Sequence, residues 1–448
     1  MRRGLVATIA VLALVLGACG NSGDDDDSAT ADTTAESGDT TTDGTGGTDE
    51  LVPVDAPGVS DEEISVGVIT SKTNPLGGKY AQLADGINAY FAKVNSEGGI
   101  YGRQLVIGKE RDDQLAKNQQ EVQAMLSQDD VFAAFIATLL FTGAPDLQEA
   151  GMPTFGWNIN PEWSDRDALF GHLGALCFGC LGKPIPWLAQ EIGATKVGVL
   201  GYGVSEQSKV CAEGYQTSFD EYKTAEIVFF DDSIPFGVTD LSAQVAKMKD
   251  AAVDMIVTCM DLNGVFTLAK EMDKQGLDAV QHLPNGYDQE FMKANGEFFE
   301  GDYVSPQFTA FEHDPKIPEI DDFFSWMEET GKTPVELSAV GWIAAYQFVK
   351  GLELAGPDFD QQKVIDALNQ ETAVSANGFN APIDWTKQHV NPVDNPDVQS
   401  DTQCANFVQV QDGELVSVLG EPGKPWVCFP NDTGPLGDPE YVSFAPEE

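Results

Sequence analysis

Short apolar, β-branched runs alternate with amphipathic stretches of helical period from residue 64 to residue 308, and no other feature of the chain restricts its fold as strongly. Ile64 to Thr70 has the composition of a buried strand, and Lys79 to Glu97 then sets Leu83, Ile87, Phe91 and Val94 on one helical stripe. The stripe ends at Gly98-Gly99, where a left-handed helix cap calls for a residue without a Cβ. Further strands are expected at Gln104 to Lys109, Val131 to Ala137, Lys196 to Tyr202, Ile227 to Asp231, Met255 to Met260 and Tyr303 to Phe308. Most are separated by helical stretches such as the one carrying Leu241, Val245 and Met248. Strand, helix, strand in repetition means parallel sheets covered by helices, an α/β fold. Ligands of such sheets sit beyond the carboxyl ends of the strands, so the loops after the strands are where function is to be sought.

The first 62 residues follow another logic. Arg2 and Arg3 precede an apolar run from Leu5 to Leu16 that closes on Gly17 and Ala18 before Cys19, the order of an export signal with its cleavage region. The run is too short for a transmembrane helix, which takes roughly 20 residues. Leu16-Gly17-Ala18-Cys19 resembles the bacterial lipobox, which implies a signal peptide over residues 1–18 and a lipidated Cys19 as the mature N-terminus. The alternative is an ordinary signal peptide with a chance cysteine. Residues 19–62 are rich in Ser, Thr, Gly and Asp, with no Lys or Arg, and are expected to form a disordered tether because they cannot bury enough surface to offset chain entropy. The protein is thus expected outside the cytoplasm, held at the membrane by its lipid alone. Residues 63–448 are too many for one ordinary core and suit two lobes. A formal net charge of -47, spread over tether and folded part alike, repels phosphate backbones and excludes nucleic acid as a partner. No loop of the Asp-x-Asp-x-Asp-Gly type is present, so the acidity reads as solubility rather than cation binding.

Of seven cysteines, six remain once Cys19 carries lipid, an even number for an oxidising compartment. Cys404 and Cys428 bracket an expected hairpin, Phe407 to Val410 and Leu415 to Leu419 around Asp412-Gly413, and are the first pair expected to bond. Cys177 and Cys180 have the spacing of a thiol redox motif but lack a thioredoxin-sized context. A structural disulfide is expected there, or a bond from one of them to Cys211, with Cys259 the remaining candidate. The four histidines, His172, His282, His313 and His389, are scattered without paired ligand spacing, so neither a metal site nor a cofactor is expected.

Asn95-Ser-Glu-Gly-Gly-Ile-Tyr-Gly-Arg103, followed by a strand and Arg111-Asp-Asp113, resembles the periplasmic leucine/isoleucine/valine-binding proteins of ABC transporters. The similarity continues through Ala150-Gly-Met-Pro153 before a strand, Lys196-Val-Gly-Val-Leu200 with its Tyr202 loop, Lys274-Gln-Gly-Leu277 after a helix, and Gly378 with Ile383-Asp-Trp385. The resemblance implies a type I periplasmic binding fold, two doubly wound parallel-sheet lobes joined by three crossovers that close on a ligand by a hinge. Residues 63–182 would then begin lobe 1 and 183–310 begin lobe 2, with 311–372 returning to lobe 1 and 373–448 carrying the hinge return, lobe 2 strands and tail. It further implies a monomeric, substrate-binding lipoprotein of an ABC uptake system, with an amino acid, amide or small carboxylate as ligand and the permease as partner.

Carried over position by position, the resemblance implies that Thr138 and Thr142, in the loop after the third strand, hold a ligand carboxylate together with amides at a helix N-terminus. Trp157 and Asn158 stand where the family commonly has small residues and a threonine, which weighs against branched aliphatic ligands. The second lobe is expected to offer Tyr202, Ser205, Asp261, Tyr287 and Asp288, with Asp288 pairing the ligand's ammonium. Each has a plainer reading: the threonines as helix caps, Trp157 as core, Asp288 as the N-cap of a helix beginning at Gln289. Gly201-Tyr-Gly203 opens like a dinucleotide fingerprint, but Glu206 stands where the third glycine belongs. With no Gly-x-Ser-x-Gly elbow, no phosphate loop and no histidine paired with a nucleophile, the sequence reads as a binding protein rather than an enzyme. A ligand-sensing receptor module of the same fold is the alternative.

Overall fold

The computed structural model describes residues 51–174, 176, 180–390, 402–430 and 434–446. The expected signal peptide, Cys19 and most of the expected tether lie outside these residues. So does Cys177.

Ten strands build the cores of two lobes. The first five are β1 (Glu63–Thr70), β2 (Gln104–Asp112), β3 (Ala133–Ala137), β4 (Thr154–Gly156) and β5 (Leu169–Gly171), paired in parallel in the order β2-β1-β3-β4-β5. The next five are β6 (Lys196–Tyr202), β7 (Glu226–Ile234), β8 (Met255–Cys259), β9 (Val280–Leu283) and β10 (Tyr303–Val304), and they repeat that order as β7-β6-β8-β9-β10. Each lobe is therefore a doubly wound α/β sheet whose order reverses beside its first strand, and ligands bind at such a switch point. The central strands β3 and β8 are buried along their whole length, because helices cover both faces of each sheet.

The helix Leu83–Ser96 buries Leu83, Ile87 and Phe91 as the stripe requires, and it stops where Gly98 and Gly99 take positive φ. Its other side meets the helix Glu336–Ala355, which returns to the first lobe from the far end of the chain. The two backbones approach closely at glycines: a Cβ on Gly86 would lie 1.8 Å from the Ser338 carbonyl oxygen, and one on Gly341 2.1 Å from that of Leu83.

Where the strands differ from expectation, a tertiary contact is responsible. The run Tyr303 to Phe308 is a strand only through Val304, because Phe308 turns into an aromatic cluster against Tyr287 and Thr309 N–H bonds the Phe379 carbonyl. Residues 51–62, expected within the tether, pack on the first lobe instead. The buried Arg103 guanidinium donates to the carbonyls of Ser60 (2.7 Å) and Val52 (2.8 Å), and Gly58 N–H donates to Asp130.

After the first lobe is completed, β11 (Thr402–Ala405) begins a separate antiparallel sheet, while β12 (Phe407–Gln411) and β13 (Glu414–Val418) form the expected hairpin and extend the second-lobe sheet beyond β10. The strands β14 (Trp426–Pro430) and β15 (Glu440–Val442) pair back onto β11. Cys404 and Cys428 face each other across β11 and β14 and are bonded, so the pair forms in this third sheet rather than at the hairpin. Cys211 bonds Cys259, tying the helix Glu206–Tyr222 to the end of β8. That overturns the expected alternative of a bond between Cys211 and Cys177 or Cys180; Cys180 is itself disulfide-bonded.

Candidate functional site

The strand ends of the two lobes face one another across a cavity of about 300 Å³. Its first-lobe wall comes from the loop after β1 (Leu76 to Gln82), from Leu139 and Leu140 after β3, from Trp157 and Ile159 after β4, and from Val335 to Leu337 where the long helix Glu336–Ala355 begins. The second-lobe wall comes mainly from the loops after β6, β8 and β9, with Phe236 from the loop after β7 and Gln307 from the segment after β10. The lining is mainly apolar and aromatic, with Tyr80, Trp157, Tyr202, Phe236 and Tyr287 all contributing rings. Trp157 is nearly buried and packs on Tyr80 at 5.4 Å between centroids, and Tyr202 meets Phe236 edge-on at 4.7 Å.

Six of the nine expected ligand contacts line this cavity: Trp157, Tyr202, Ser205, Asp261, Tyr287 and Asp288. Most of their polar atoms are already engaged. Tyr202 Oη donates to Asp261 Oδ2 at 2.6 Å, while Asp261 Oδ1 caps the helix Leu262–Gln275 by accepting from Asn263 and Gly264 N–H. Burial and the Asp261 carboxylate together raise the Tyr202 hydroxyl far above its ordinary pKa, so it is a fixed donor. Ser205 caps its own helix by accepting from Ser208 N–H. Tyr287 Oη donates to Glu312 at 2.6 Å and accepts from Phe311 N–H.

Asp288 takes both of the roles its sequence position suggested, but with a different cation. Oδ1 accepts from Phe291 N–H and caps the helix Gln289–Asn295, and Oδ2 lies 2.9 Å from Nζ of Lys79 on the opposite lobe. The ammonium beside Asp288 therefore belongs to the protein. Lys79 also reaches Glu290 at 3.2 Å, so its charge is spent on two carboxylates.

The other three expected contacts lie away from the cavity. Thr142 is exposed, and its hydroxyl accepts from Gln119 N–H near the start of the helix Asn118–Gln128. Thr138 is fully buried, with its hydroxyl hydrogen-bonded to Ser71 and to Leu140 N–H. Asn158 is consumed by the loop after β5: it donates to the Gly174 carbonyl and accepts from Leu173 N–H, and its own N–H reaches His172.

Sequence reasoning missed Lys79, Tyr80, Gln82 and Glu336. The first three follow β1 and were within reach of the rule that ligands meet loops after strands. Glu336 carried no local signal, because a glutamate in a helix first turn is explained by the helix dipole alone. In the structure it is half-buried in the cavity wall, and among the described residues no side chain or amide hydrogen-bonds its carboxyl. Burial and the neighbouring Asp288 push that carboxyl up to about 8, so it is mainly protonated at neutral pH.

The contacts that cross between lobes beside the cavity include Lys79 to Asp288 and Glu290, Asn263 Nδ2 to the Leu76 carbonyl at 2.7 Å, Gln207 Nε2 to the Leu139 carbonyl at 3.2 Å, and His172 Nε2 with Gln307 Oε1 at 2.9 Å. Gly77 makes the contact between Asn263 and Leu76 feasible, since it holds φ at +79° and any Cβ there would lie 2.8 Å from Asn263 Nδ2.

Two doubly wound lobes enclosing a cavity at their facing strand ends define a bilobed binding protein of type I. The chain belongs to the periplasmic binding protein family, whose model matches residues 63–414. Members of that family work outside the cytoplasm, and among the described residues no helix is long and apolar enough to cross a membrane. The fold is similar to that of the branched-chain amino acid transporter substrate binding protein LivJ from Streptococcus pneumoniae in complex with isoleucine, with a TM-score of 0.65 at 18% identity over 80% of this chain and 99% of that one. It is similar also to a fatty acid ABC transporter substrate-binding protein from Thermomonospora curvata (0.66, 17%, 84% and 95%). A solute binding protein from R. palustris in complex with 4-hydroxybenzoate gives comparable values (0.63, 19%, 80% and 96%). No curated protein matches the sequence at a significant level.

Proposed function

We propose that the protein is the lipid-anchored, extracytoplasmic solute-binding component of an ABC uptake system, delivering to a permease a small ligand held between its lobes. The observation that carries this reading is the cavity itself, lined from both lobes at their switch points and crossed by contacts that form only when the lobes are together. The lipobox at Leu16 to Cys19 supports the anchor, and the acidic, Ser/Thr-rich stretch behind it supports a tether long enough to let the lobes reach a permease. The lining favours a ligand with an apolar or aromatic body and a single polar head. A zwitterionic amino acid fits less well, because Lys79 already occupies Asp288 and Thr142 points elsewhere.

Thermal unfolding of the full chain against a panel of amino acids, amides, carboxylates, amines, polyamines and sugars tests the reading. A ligand at a hundred times its dissociation constant adds about 2.7 kcal/mol and a clear rise in midpoint. A panel in which nothing raises the midpoint would reject capture of such solutes.

A further inference from the structure

We propose that the cavity is built for an organic amine with an aromatic or apolar body and no carboxylate, and that Glu336 is the residue that receives its ammonium group. The inference rests on the solute-binding reading and names the ligand class of that same cavity.

Asp261, Asp288 and Glu336 are the carboxyls of the lining, and Lys79 is its cation. Asp261 is committed to Tyr202 and to a helix cap, and Asp288 to Lys79 and a second cap. Lys79, held by Asp288 and Glu290, has no positive charge to spare for an anion. A carboxylate entering the cavity would find no cation free to pair with it, because Lys79 is already held by Asp288 and Glu290, and moving it out of water uncompensated is costly. Glu336 is the acid left without a protein partner among the described residues, and an ammonium placed against it completes a charge-assisted hydrogen bond in a weakly solvated setting.

The walls around that acid suit a cation on an aromatic body. Tyr80, Trp157, Tyr202 and Tyr287 offer ring faces and edges, and aromatic faces attract ammonium groups electrostatically. Trp157 Nε1 and Gln82 Oε1 are buried in the same lining without hydrogen-bond partners, a donor and an acceptor that the protein itself does not satisfy. The strongly negative protein also draws cations toward the cleft and repels anions.

Protonation of Glu336 adds a signature. The ionisable groups that bear on it are Asp288 from the second lobe, which disfavours its ionised form, and Tyr80 and Tyr287, both raised well out of the neutral range by burial. An arriving ammonium stabilises the ionised form, so binding below about pH 8 expels one proton to solvent. Affinity for an amine then falls as the pH drops below that value, by at most about tenfold per unit.

Four probes with one phenyl body separate the alternatives by isothermal titration on the full chain: phenethylamine, phenylalanine, 3-phenylpropanoate and 3-phenylpropanamide. Phenethylamine is expected to bind most tightly, to release a proton at pH 7, and to lose roughly 10- to 100-fold in affinity together with its pH slope in Glu336→Gln. Equal or tighter binding of the acid, the amide or the zwitterion overturns the amine assignment and leaves solute capture standing. So does phenethylamine binding that Glu336→Gln does not weaken. No binding of any phenyl probe, while a panel member that is not an amine raises the unfolding midpoint, likewise removes the amine and keeps the solute-binding reading. Failure of the whole panel removes both.

Discussion

Stability should pass through a maximum near pH 6.5, falling on both sides for separate reasons. On the acid side the cause is burial of imidazoles. Burial lowers His172, His282 and His389 to about 4 each, and it lowers His313 as well. In the unfolded chain a histidine titrates near 6.5. Between pH 4 and 6.5 the unfolded state therefore binds protons that the native state does not, and each buried histidine costs about 1.4 kcal/mol of stability per unit of falling pH. Two carboxyls oppose this. Burial, with Asp288 nearby, raises Glu336 to about 8, and burial raises Asp302 well above its ordinary value despite the hydrogen bonds it accepts from Gln281. Each keeps a native proton that the unfolded chain releases near 4, and so contributes stability that is lost as the pH climbs toward its folded value. With at least three groups against two, the net slope below pH 6.5 is a gain of roughly 1–3 kcal/mol per unit of rising pH.

Above pH 6.5 the histidines are neutral in both states and drop out. Only the carboxyls remain, so stability should fall by about 1.4 kcal/mol per unit for each carboxyl that keeps its native proton. Urea unfolding followed by tryptophan fluorescence at pH 5, 6.5 and 8 reads both limbs. Glu336→Gln should flatten the alkaline limb, and His282→Gln, which loses a buried ring bonded to Ser305, should flatten the acid one. Stability that keeps rising from pH 6.5 to 8, or that is level from 5 to 6.5, would refute the assignment of these protons.

Two further perturbations probe the scaffold and the latch. Gly86→Ala adds helix propensity worth about 1 kcal/mol, yet its Cβ at 1.8 Å from the Ser338 carbonyl must push apart the helices Leu83–Ser96 and Glu336–Ala355; a net loss of about 1–3 kcal/mol is expected in urea unfolding, and a stabilised variant would show that the crossing is not tight. Lys79→Met removes the half-exposed ion pair to Asp288, a contact of about 0.2–1 kcal/mol, and frees that carboxylate; titration calorimetry should show zwitterionic ligands gaining affinity relative to wild type, and an unchanged ranking of ligands would mean that Asp288 does not face them.

The fold was legible because its signals are local and redundant. Strand β6 was placed residue for residue from Lys196 to Tyr202, and the helix ending at Gly98-Gly99 from its stripe and cap, since both depend on near neighbours. The short strands β4 and β5 carry three residues each and offered no periodicity to read. Residues 51–62 carry Leu51, Val52, Val54, Ala56 and Val59 but set them among Pro, Gly and Asp with neither strand nor helix period, and so were grouped with the tether before them, although Arg103, some forty residues on, organises their carbonyls. The bond between Cys211 and Cys259 was open to several pairings, because it joins a helix to a strand end that only the parallel sheet brings together.

The site was legible in place but not in charge. The family resemblance, carried over position by position onto the loops after the strands, pointed to Trp157, Tyr202, Ser205, Asp261, Tyr287 and Asp288 without knowing what any of them touches. What decides the chemistry is which groups the closed lobes pair with one another. Asp288 would serve an ammonium from any source, and Lys79, more than two hundred residues away in sequence and 2.9 Å away in space, supplies one. That single pairing changes the electrostatic requirement on the ligand: the acid expected to recognise it is neutralised, and the unpartnered acid is Glu336, at the start of a helix whose own position depends on the glycine crossing with the helix Leu83–Ser96. The ligand's charge is thus determined by contacts between segments far apart in the chain, and the residue on which it turns is one whose sequence context shows only a helix beginning.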